Sequence, residues 1–347
     1  MQNINKGFGL LFEMGCGKTL TAIAIAGAGY QMGKVERLLI VAPTSVVAVW
    51  PKELQEYAKF KYTCKTLLGE KKQRIKQIDD LLKFPFKALK VAVINYESTW
   101  RPEILEKLKE FDADMVIADE SQRIKTYDAA QSKAMHELGD QARYKLILSG
   151  TPVQTAAIDI WSQYRFLDKT VFGDNFFKFR GRYAIMGGYG NKKIVGYKDL
   201  EGLIKKEHSI AFRVTKDEAL DLPEQTFETR KIQFSQKEKN LYERIKKDSY
   251  AELDGGGHIT ATTVLTRLLR LQQLAGGFLV QDDAQKPQLV SRAKLDALAD
   301  IIEDYVIGSG KKAGDLRKVY RRGKSDHGAG RESAPEGTET GGNLRRH

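Results

Sequence analysis

The stretch at 7–31 constrains the fold more than any other part of the sequence. The apolar run GFGLLF predicts a strand, the loop EMGCGKT follows it, and LTAIAIAGAGYQ predicts a helix that is buried on most sides. Further apolar runs at 37–43, 88–96, 113–120 and 144–152 alternate with helical spacers. Strands that alternate with helices in this way predict an α/β domain built on a parallel sheet.

The loop GCGKT has the composition of a phosphate-binding loop. Its glycines let backbone N–H groups approach a phosphate, Lys18 is placed to reach the terminal phosphates, and the Thr19 hydroxyl is a Mg²⁺ ligand. The strict pattern has another glycine five residues before the last one, and Phe12 stands there, so a glycine-rich turn is the alternative. The residues predicted to bind ATP are Gly15, Cys16, Gly17, Lys18, Thr19 and Leu20.

Two acids, Asp119 and Glu120, end the apolar run MVIADE. Nucleotide-hydrolysing folds commonly use a strand of this kind to place a Mg²⁺ ligand opposite the phosphate loop. We expect Asp119 to hold the metal and Glu120 to orient or deprotonate the attacking water. Taken alone, the pair is better interpreted as two solvated acids at a strand end. Its place after a GKT loop in a parallel α/β pattern favours the metal site.

Two other strand ends carry hydroxyl side chains. The hydroxyls of SGTP at 149–152 are candidates to sense the nucleotide and relay its state to another ligand. Taken alone, the segment is better interpreted as a simple turn. In APTS at 42–45, the threonine and serine are expected to cap the next helix, to bond a nucleic-acid phosphate, or both. Ligands of parallel α/β sheets bind at strand ends of this kind.

Composition narrows the compartment and the class of partner. Two cysteines, Cys16 and Cys64, exclude a disulfide framework and a cysteine-based metal cluster, and they indicate a cytoplasmic protein. No apolar run reaches the roughly 18 residues of a membrane span, and the start MQNINKGFG lacks the pattern of a secretory signal. The net charge of +12 favours a polyanionic partner, but only weakly.

The segments EMGCGKT, VAPTSVVAVWPKE, INYES, ADESQRIKT and LILSGTPVQ, in this order, resemble the Snf-type (sucrose-non-fermenting) family of superfamily 2 helicases. The resemblance extends through FRVTKDEALDLPE to about Lys312, and the compact form resembles members from phages and bacteria. It implies an α/β fold with a P-loop, RecA-like parallel sheet flanked by helices. The implied divisions are a first ATP-binding lobe at 1–153, a helical protrusion and linker at 154–234, a helical insertion and entrance to a second lobe at 235–312, and a disordered tail at 313–347.

The family consists of ATP-driven translocases on double-stranded DNA, so the resemblance implies ATP, Mg²⁺ and DNA as ligands. It implies that Lys18, Asp119 and Glu120 are catalytic, with Thr19 and Asp119 at the metal. Pro43, Thr44 and Ser45 are implied to contact the DNA backbone. Ser149, Gly150 and Thr151 are implied to couple the ATP site to DNA. Gln122 stands where many family members have histidine, a mild departure.

Two elements of the family pattern are missing from this sequence. Family members place a glutamine-containing adenine-recognition segment before the phosphate loop, whereas only eleven residues precede Phe12. Beyond about Lys312 nothing resembles the second RecA-like lobe, which carries an arginine finger and half of the DNA track. We therefore expect an incomplete motor that hydrolyses ATP slowly, because an arginine finger contributes about 10³–10⁵ in rate.

The tail from residue 313 has almost no apolar pattern. Its codons, read one base later with free third bases, permit an apolar strand and an amphipathic helix at 313–326 and the sequence Glu-Val-Ile-Tyr-Gly-Gly at the end. We expect this tail to be an out-of-frame readout, with a disordered basic tail as the alternative. Sequencing the gene around codon 312 tests the expectation, which is wrong if the shifted frame does not continue into a long open sequence.

The expected function is therefore ATP-dependent tracking along double-stranded DNA without strand separation. One alternative is a nucleotide- and DNA-binding fragment that does not turn over ATP. The other alternative is a restriction-type superfamily 2 motor subunit, against which the linker FRVTKDEALDLPE argues.

Overall fold

The fold is known from a computed structural model. The residues that it describes are 7–153, 156–191, 193–221, 228–248, 250–252, 258–260, 264–280 and 287–307. The chain divides into two compact units, one up to residue 224 and the other from residue 225. The tail at 313–347, predicted to be disordered and out of frame, lies outside the described residues.

The first unit is built on a seven-stranded parallel sheet, as the alternation of strands and helices predicts. Its strand order is β3-β4-β2-β5-β6-β1-β9, and every neighbouring pair is parallel. The pair β7–β8 forms a separate antiparallel hairpin. The strands are β1 (Gly7–Phe12), β2 (Arg37–Ala42), β3 (Tyr62–Thr66), β4 (Leu89–Asn95), β5 (Met115–Asp119), β6 (Tyr144–Leu148), β7 (Ala184–Gly187), β8 (Lys193–Tyr197) and β9 (Ala211–Val214).

Helices cover both faces of this sheet. Side chains of α1 and α2 share one buried cluster with the strands, and those of α3, α5, α6 and α7 share the other. The helices are α1 (Lys18–Gln31), α2 (Trp50–Tyr57), α3 (Lys71–Leu82), α4 (Tyr96–Thr99), α5 (Pro102–Phe111), α6 (Ala130–Gln141), α7 (Ile160–Leu167), α8 (Lys169–Phe172), α9 (Phe176–Tyr183), α10 (Leu200–Glu207) and α11 (Lys216–Ala219). Short 3₁₀ turns lie at Ser121–Ile124, Ala157–Asp159, Tyr189–Asn191 and His208–Ile210.

The central strand β2 shows why its sequence is a continuous apolar run. Leu38 and Ile40 point into the cluster under α1 and α2, whereas Leu39 and Val41 point into the opposite cluster. Successive side chains of a strand face opposite ways, so a strand covered on both faces is apolar at every position. The unbroken apolar sequence of β2 is therefore explained by helices that cover both faces of the sheet.

Strand β9 brings residues after 200 back to the sheet. It pairs with β1 in parallel, with Gly9 opposite Ala211. A Cβ at Gly9 would lie 2.9 Å from the Ala211 Cβ, so a side chain at this position would push the two strands apart. The loop after β1 is tied to the same region, because Glu13 N donates to Val214 O and Lys216 N donates to the Glu13 carboxylate.

The second unit is a small mixed structure around Ile245, Leu274 and Leu279. The helical insertion expected within 235–312 also contains strands, because Tyr250–Glu252 and His258–Thr260 pair as a short antiparallel ladder. The elements are α12 (Gln236–Asp248), β10 (Tyr250–Glu252), β11 (His258–Thr260), α13 (Val264–Ala275), β12 (Phe278–Val280), β13 (Pro287–Leu289), α14 (Ala293–Ile301) and a π-helical turn at Ile302–Ile307.

Helix α14 continues into the π-helical turn, which ends at residue 307. None of the helices in the described part of the chain has the length and apolar character needed to cross a bilayer. The domain boundaries predicted at 153, 234 and 312 stay predictions.

Candidate functional site

The loop between β1 and α1 has the backbone of an anion cradle. Gly15 and Gly17 adopt φ values of 90° and 83°, and no atom lies within 4 Å of where their Cβ atoms would be. Glycine reaches this left-handed region without strain. Gly17 precedes α1 as its N-cap, and no side chain caps the helix. The first N–H groups of α1 are therefore available to an anion in the open space beside the loop.

Lys18 lies across this loop. Its Nζ donates to Phe12 O at 2.8 Å and to Glu13 O at 3.3 Å. Phe12, at the position where the strict pattern has glycine, is buried at the end of β1 and supplies only its carbonyl to this contact. Thr19 follows on the first turn of α1 and is half-buried, whereas Leu20 is exposed. Cys16 packs its side chain against the core beneath the loop.

Asp119 ends β5 and is almost fully buried. Trp50 Nε1 donates to its Oδ2 at 2.9 Å. Burial raises the pKa of the Asp119 carboxyl to about 6, although the Trp50 hydrogen bond and the charge of Lys18 both lower it. The charge of Lys18 is among the influences that lower the pKa of this carboxyl. The phosphate and metal site predicted for the two residues stays a prediction.

Glu120 turns the chain sharply after β5, with a left-handed φ of 50°. The turn brings Gln122 back over it, and Gln122 Nε2 donates to Glu120 Oε2 at 2.7 Å. On its other side, Gln122 Oε1 accepts a hydrogen bond of 2.8 Å from the buried hydroxyl of Ser149. Gln122, at the family's usual histidine position, thus joins the loop after β5 to the loop after β6.

The segment after β6 also lies beside the phosphate-type loop. A Cβ at Gly150 would lie 3.3 Å from Phe12 O and 3.7 Å from Lys18 Nζ. Thr151 N donates to the Ser149 hydroxyl at 3.1 Å, which fixes the turn. The structure therefore brings the predicted coupling residues together with Lys18 and, through Gln122, with Glu120.

The segment after β2 lies at the same edge of the sheet, but it makes a different set of contacts. Pro43 is buried, and Thr44 and Ser45 are exposed. The expectation that Thr44 and Ser45 cap the next helix is wrong, because α2 begins only at Trp50, with Val49 as its N-cap and no side-chain cap. Turns at 43–49 intervene, and the Thr44 hydroxyl instead donates to Glu97 Oε2 at 3.1 Å.

Asn95, the last residue of β4, and Glu97, on α4, contact the segment after β2, and neither was assigned a role from the sequence. Asn95 Nδ2 donates to Glu97 Oε2 at 2.9 Å and to the Thr44 hydroxyl at 3.3 Å. Arg123 lies 3.9 Å from the other Glu97 oxygen, and Arg74 Nη1 donates to Asn95 Oδ1. Burial alone raises the pKa of the Glu97 carboxyl, but hydrogen bonds from its own backbone, Asn95 and Thr44 lower it below its ordinary value. Their position directly after the apolar run of β4 was the available signal.

The donor set near the loop fits Mg²⁺ better than a transition metal. Within the described residues, no group of three or more His, Cys, Asp or Glu side chains is arranged to hold a metal ion. The candidates are the carboxylate of Asp119, the hydroxyl of Thr19 and the adjacent Glu120. Mg²⁺ is commonly held by one or two carboxylates together with substrate phosphates and water, so this sparse oxygen set suits it.

Comparisons with a family model and with known proteins all indicate the same family. The family model described as the SNF2-related domain matches residues 2–276. The chain is 26% identical to the "Uncharacterized ATP-dependent helicase MG018" of Mycoplasma genitalium over 279 residues, which cover 78% of this chain and 24% of that protein. It is 31% identical to the ISWI chromatin-remodeling complex ATPase ISW1 of Saccharomyces cerevisiae over 173 residues, which cover 49% of this chain and 15% of that protein. It thus aligns with a quarter or less of either relative.

A solved structure has the same fold. The SWI2/SNF2 ATPase core of Sulfolobus solfataricus, solved in complex with double-stranded DNA, matches with a TM-score of 0.50 at 22% identity. The match covers 88% of this chain and 61% of the Sulfolobus chain. The strand-end loops of the parallel sheet and the extent of the matched family model agree: this chain belongs to the SNF2-related family.

Proposed function

We propose that the chain binds ATP with Mg²⁺ and hydrolyses it as part of a motor that tracks along double-stranded DNA. The observation that carries the proposal is the meeting of three strand-end loops at one edge of the sheet. Lys18 crosses the loop after β1, Gly150 lies against it, and Gln122 connects Glu120 to the loop after β6. Family membership supports the same activity.

In this proposal the phosphates bind over Gly15 and Gly17, against the free N–H groups of α1. Lys18 leaves its two carbonyl partners and pairs with the terminal phosphates. Asp119 and Thr19 would hold Mg²⁺, and the bound ion would supply positive charge beside the phosphates. Glu120 accepts a hydrogen bond from the attacking water and takes its proton, and Gln122 keeps the Glu120 carboxylate in place.

For DNA, we propose that the backbone is held at the loops after β2 and β4. Thr44 and Ser45 are exposed there, with Pro43 beneath them. Contacts of this kind act on phosphates, so binding should be independent of sequence and should weaken steeply with salt. Ser149, Gly150 and Thr151 would report the nucleotide state from the ATP site to this surface, and the motor would follow the duplex without separating its strands.

Steady-state ATP hydrolysis, measured with and without double-stranded DNA, tests the proposal, with Lys18→Ala as the blank. Turnover above the blank that increases with DNA supports a motor. Nucleotide binding is measured in parallel with a fluorescent ATP analogue. Binding without turnover would favour a nucleotide- and DNA-binding module. Absence of both binding and turnover in the wild type would contradict the proposal.

A further inference from the structure

Two buried aromatic side chains hold Asp119 from different directions. Trp50 Nε1 donates to the carboxylate Oδ2 at 2.9 Å, and the Tyr96 hydroxyl donates to the backbone carbonyl of the same residue at 2.8 Å. Trp50 is 1% exposed and Tyr96 is 0% exposed. One contact fixes the side chain of Asp119, and the other fixes its backbone.

Each aromatic residue lies close in sequence to polar residues at the surface. Trp50 is the first residue of α2 and directly follows the turns at 43–49, which contain Thr44 and Ser45. Tyr96 is the first residue of α4 and stands between Asn95 and Glu97. The turns after β2 are joined to helix α4 at the surface by the hydrogen bond from Thr44 to Glu97. Each of them is also joined to Asp119 in the interior.

The interior contacts leave little freedom for independent movement. Trp50 packs in the cluster that also contains Val47 and Leu54, and Tyr96 packs in the opposite cluster with Ile124. Protein interiors are close-packed, so a large side chain in such a cluster moves with its backbone instead of turning in place. A shift of the surface loops therefore displaces the indole N–H and the phenol O–H relative to Asp119.

We infer that Trp50 is a positioning residue for Asp119, and that Trp50 and Tyr96 transmit the occupancy of the surface formed by Thr44 and Ser45 to the metal-binding carboxylate. This inference rests on the proposed function, since it assigns the occupant of that surface as DNA and the ligand of Asp119 as Mg²⁺. The path runs beside the Glu120–Gln122–Ser149 connection and shares no side chain with it.

The variant Trp50→Phe tests the inference, because phenylalanine keeps an aromatic ring in the core and removes the N–H donor. Its matched control is Trp161→Phe. Trp161 is also buried in the first unit, but its Nε1 has no hydrogen-bond partner among the described residues. A second pair is Tyr96→Phe with the control Tyr183→Phe, because the buried Tyr183 hydroxyl likewise has no partner there.

The first readout is the rise in melting temperature caused by ADP as Mg²⁺ is titrated, compared with ADP in EDTA. Trp50→Phe is expected to need about tenfold more Mg²⁺ than the wild type for half of the Mg²⁺-dependent shift, since loss of a partner of a metal ligand commonly costs 10–100-fold in metal affinity. Its shift in EDTA should equal that of the wild type. Trp161→Phe should follow the wild-type titration.

The second readout is the Kd for a fluorescent DNA duplex, measured by anisotropy with and without Mg²⁺–ADP. The ratio of the two Kd values should differ from one in the wild type and in Trp161→Phe, and it should move to one in Trp50→Phe. Binding linkage is reciprocal, so this ratio measures the coupling of the two sites from the DNA side. Tyr96→Phe should change both readouts in the same direction relative to Tyr183→Phe.

Three results would overturn the inference. Trp50→Phe and Tyr96→Phe could each match their controls in both readouts, or the wild-type Kd ratio could equal one, in which case nothing is transmitted. If Trp50→Phe does not fold, the Tyr96 and Tyr183 pair decides alone. A wild type that shows no Mg²⁺-dependent stabilisation by ADP would overturn the proposed function and this inference together, and that result is visible before any variant is compared.

Discussion

Two aspartates flank the sequence of strand β5 and differ in their surroundings: Asp114 directly precedes the strand, and Asp119 is its last residue. At the amino end, Asp114 Oδ2 accepts hydrogen bonds from the backbone N–H groups of Glu36 (2.8 Å) and Arg37 (2.9 Å), where β2 begins. These donors are fixed by the neighbouring strand, and the carboxylate is only partly buried. At the carboxyl end, Asp119 is buried, and the hydrogen bonds to its carboxylate include those from Trp50 Nε1 and from the backbone of Glu120.

The difference lies in how the folded protein treats the negative charge. The amides bonded to Asp114 stabilise the start of β2 against β5, so that carboxylate supports the fold. Burial raises the pKa of Asp119 to about 6, so the folded chain disfavours its ionised form. A buried carboxylate that the fold disfavours is typical of a group retained for binding or chemistry. Substitutions at the amino end should therefore affect stability, and those at the carboxyl end should affect nucleotide chemistry.

The largest effect is expected at the carboxyl end, from Glu120→Gln. The amide cannot take a proton from water, so ATP turnover should fall by about 10²–10⁴. The amide can still pair with Gln122, so nucleotide binding and the urea midpoint should stay close to the wild type. Single-turnover hydrolysis and equilibrium binding of a fluorescent ATP analogue measure the two properties separately. A parallel loss of binding and stability would mean that Glu120 supports the fold as Asp114 does.

The next largest effect is expected from Asp119→Asn, which should raise the stability of the metal-free protein and weaken Mg²⁺-dependent nucleotide binding. Asparagine still accepts the Trp50 hydrogen bond but carries no charge, so the metal-free protein should become more stable near pH 7.5. A pKa raised from 3.8 to about 6 corresponds to an upper limit of roughly 3 kcal/mol for this gain. The same variant should lose the Mg²⁺-dependent part of nucleotide binding, which is measured by titration with ADP.

The pH dependence of this gain follows from the direction of the shift. Because the pKa of Asp119 is higher in the folded than in the unfolded state, its stabilising contribution is complete below about pH 3.8 and is lost as the pH rises through about 6. Urea unfolding of the wild type and of Asp119→Asn should therefore diverge as the pH rises from about 4 to 7. Equal free energies of unfolding for the two proteins at all pH values would show that burial does not raise the pKa of Asp119.

A smaller effect is expected at the amino end, from Asp114→Ala. The N–H groups of Glu36 and Arg37 lose their acceptor, and the one at Arg37 is partly buried. The free energy of unfolding should fall by about 1–2 kcal/mol, as measured by urea titration. The Kd for Mg²⁺–ADP should remain at the wild-type value. An equal loss of nucleotide affinity would remove the distinction between the two ends of β5.

The sequence predicts those parts of this arrangement that depend on local patterns. The interior strands are apolar at every position because both faces are covered, and they were located correctly. Strand β3 was missed because it lies at an edge and its YTCKT sequence is half-buried and polar. The residues of β9 were assigned to a linker, since nothing in AFRV indicates that it returns to pair with β1.

The site divides in the same way. The phosphate-type loop and the acids after β5 are contiguous motifs and are visible in one sequence. The hydrogen bond from Trp50 to Asp119 joins residues 69 positions apart, and the one from Ser149 to Gln122 joins residues 27 apart. No helical or strand periodicity relates such positions, so only the packed sheet reveals that they meet. Trp50 was assigned no role from the sequence, and the structure shows that its indole N–H donates a hydrogen bond to the Asp119 carboxylate.

The smallest predicted effect lies away from both ends of the sheet, at His136 of α6, whose side chain contacts α7. Burial lowers the pKa of its imidazole, whose Nε2 lies 3.0 Å from both Ser162 O and Ser162 Oγ; the nearby charge of Arg165 acts in the same direction, and that of Asp140 opposes it. Because the folded pKa is below the unfolded value of 6.5, the unfolded chain takes the proton first as the pH falls. The contribution of His136 is therefore complete above about pH 6.5 and is lost at lower pH, opposite in sign to that of Asp119.

The variant His136→Gln, made in the Asp119→Asn background, isolates this contribution. Urea unfolding at about pH 7.5 and pH 5.5 should show a small loss of stability on acidification in the background protein and a smaller loss in His136→Gln. Other titrating groups, including the Asp140 carboxyl whose pKa is lowered by Arg165, are common to both proteins and cancel in the difference. If acidification affects both proteins equally, the buried imidazole makes no contribution to the pH dependence of the free energy of unfolding.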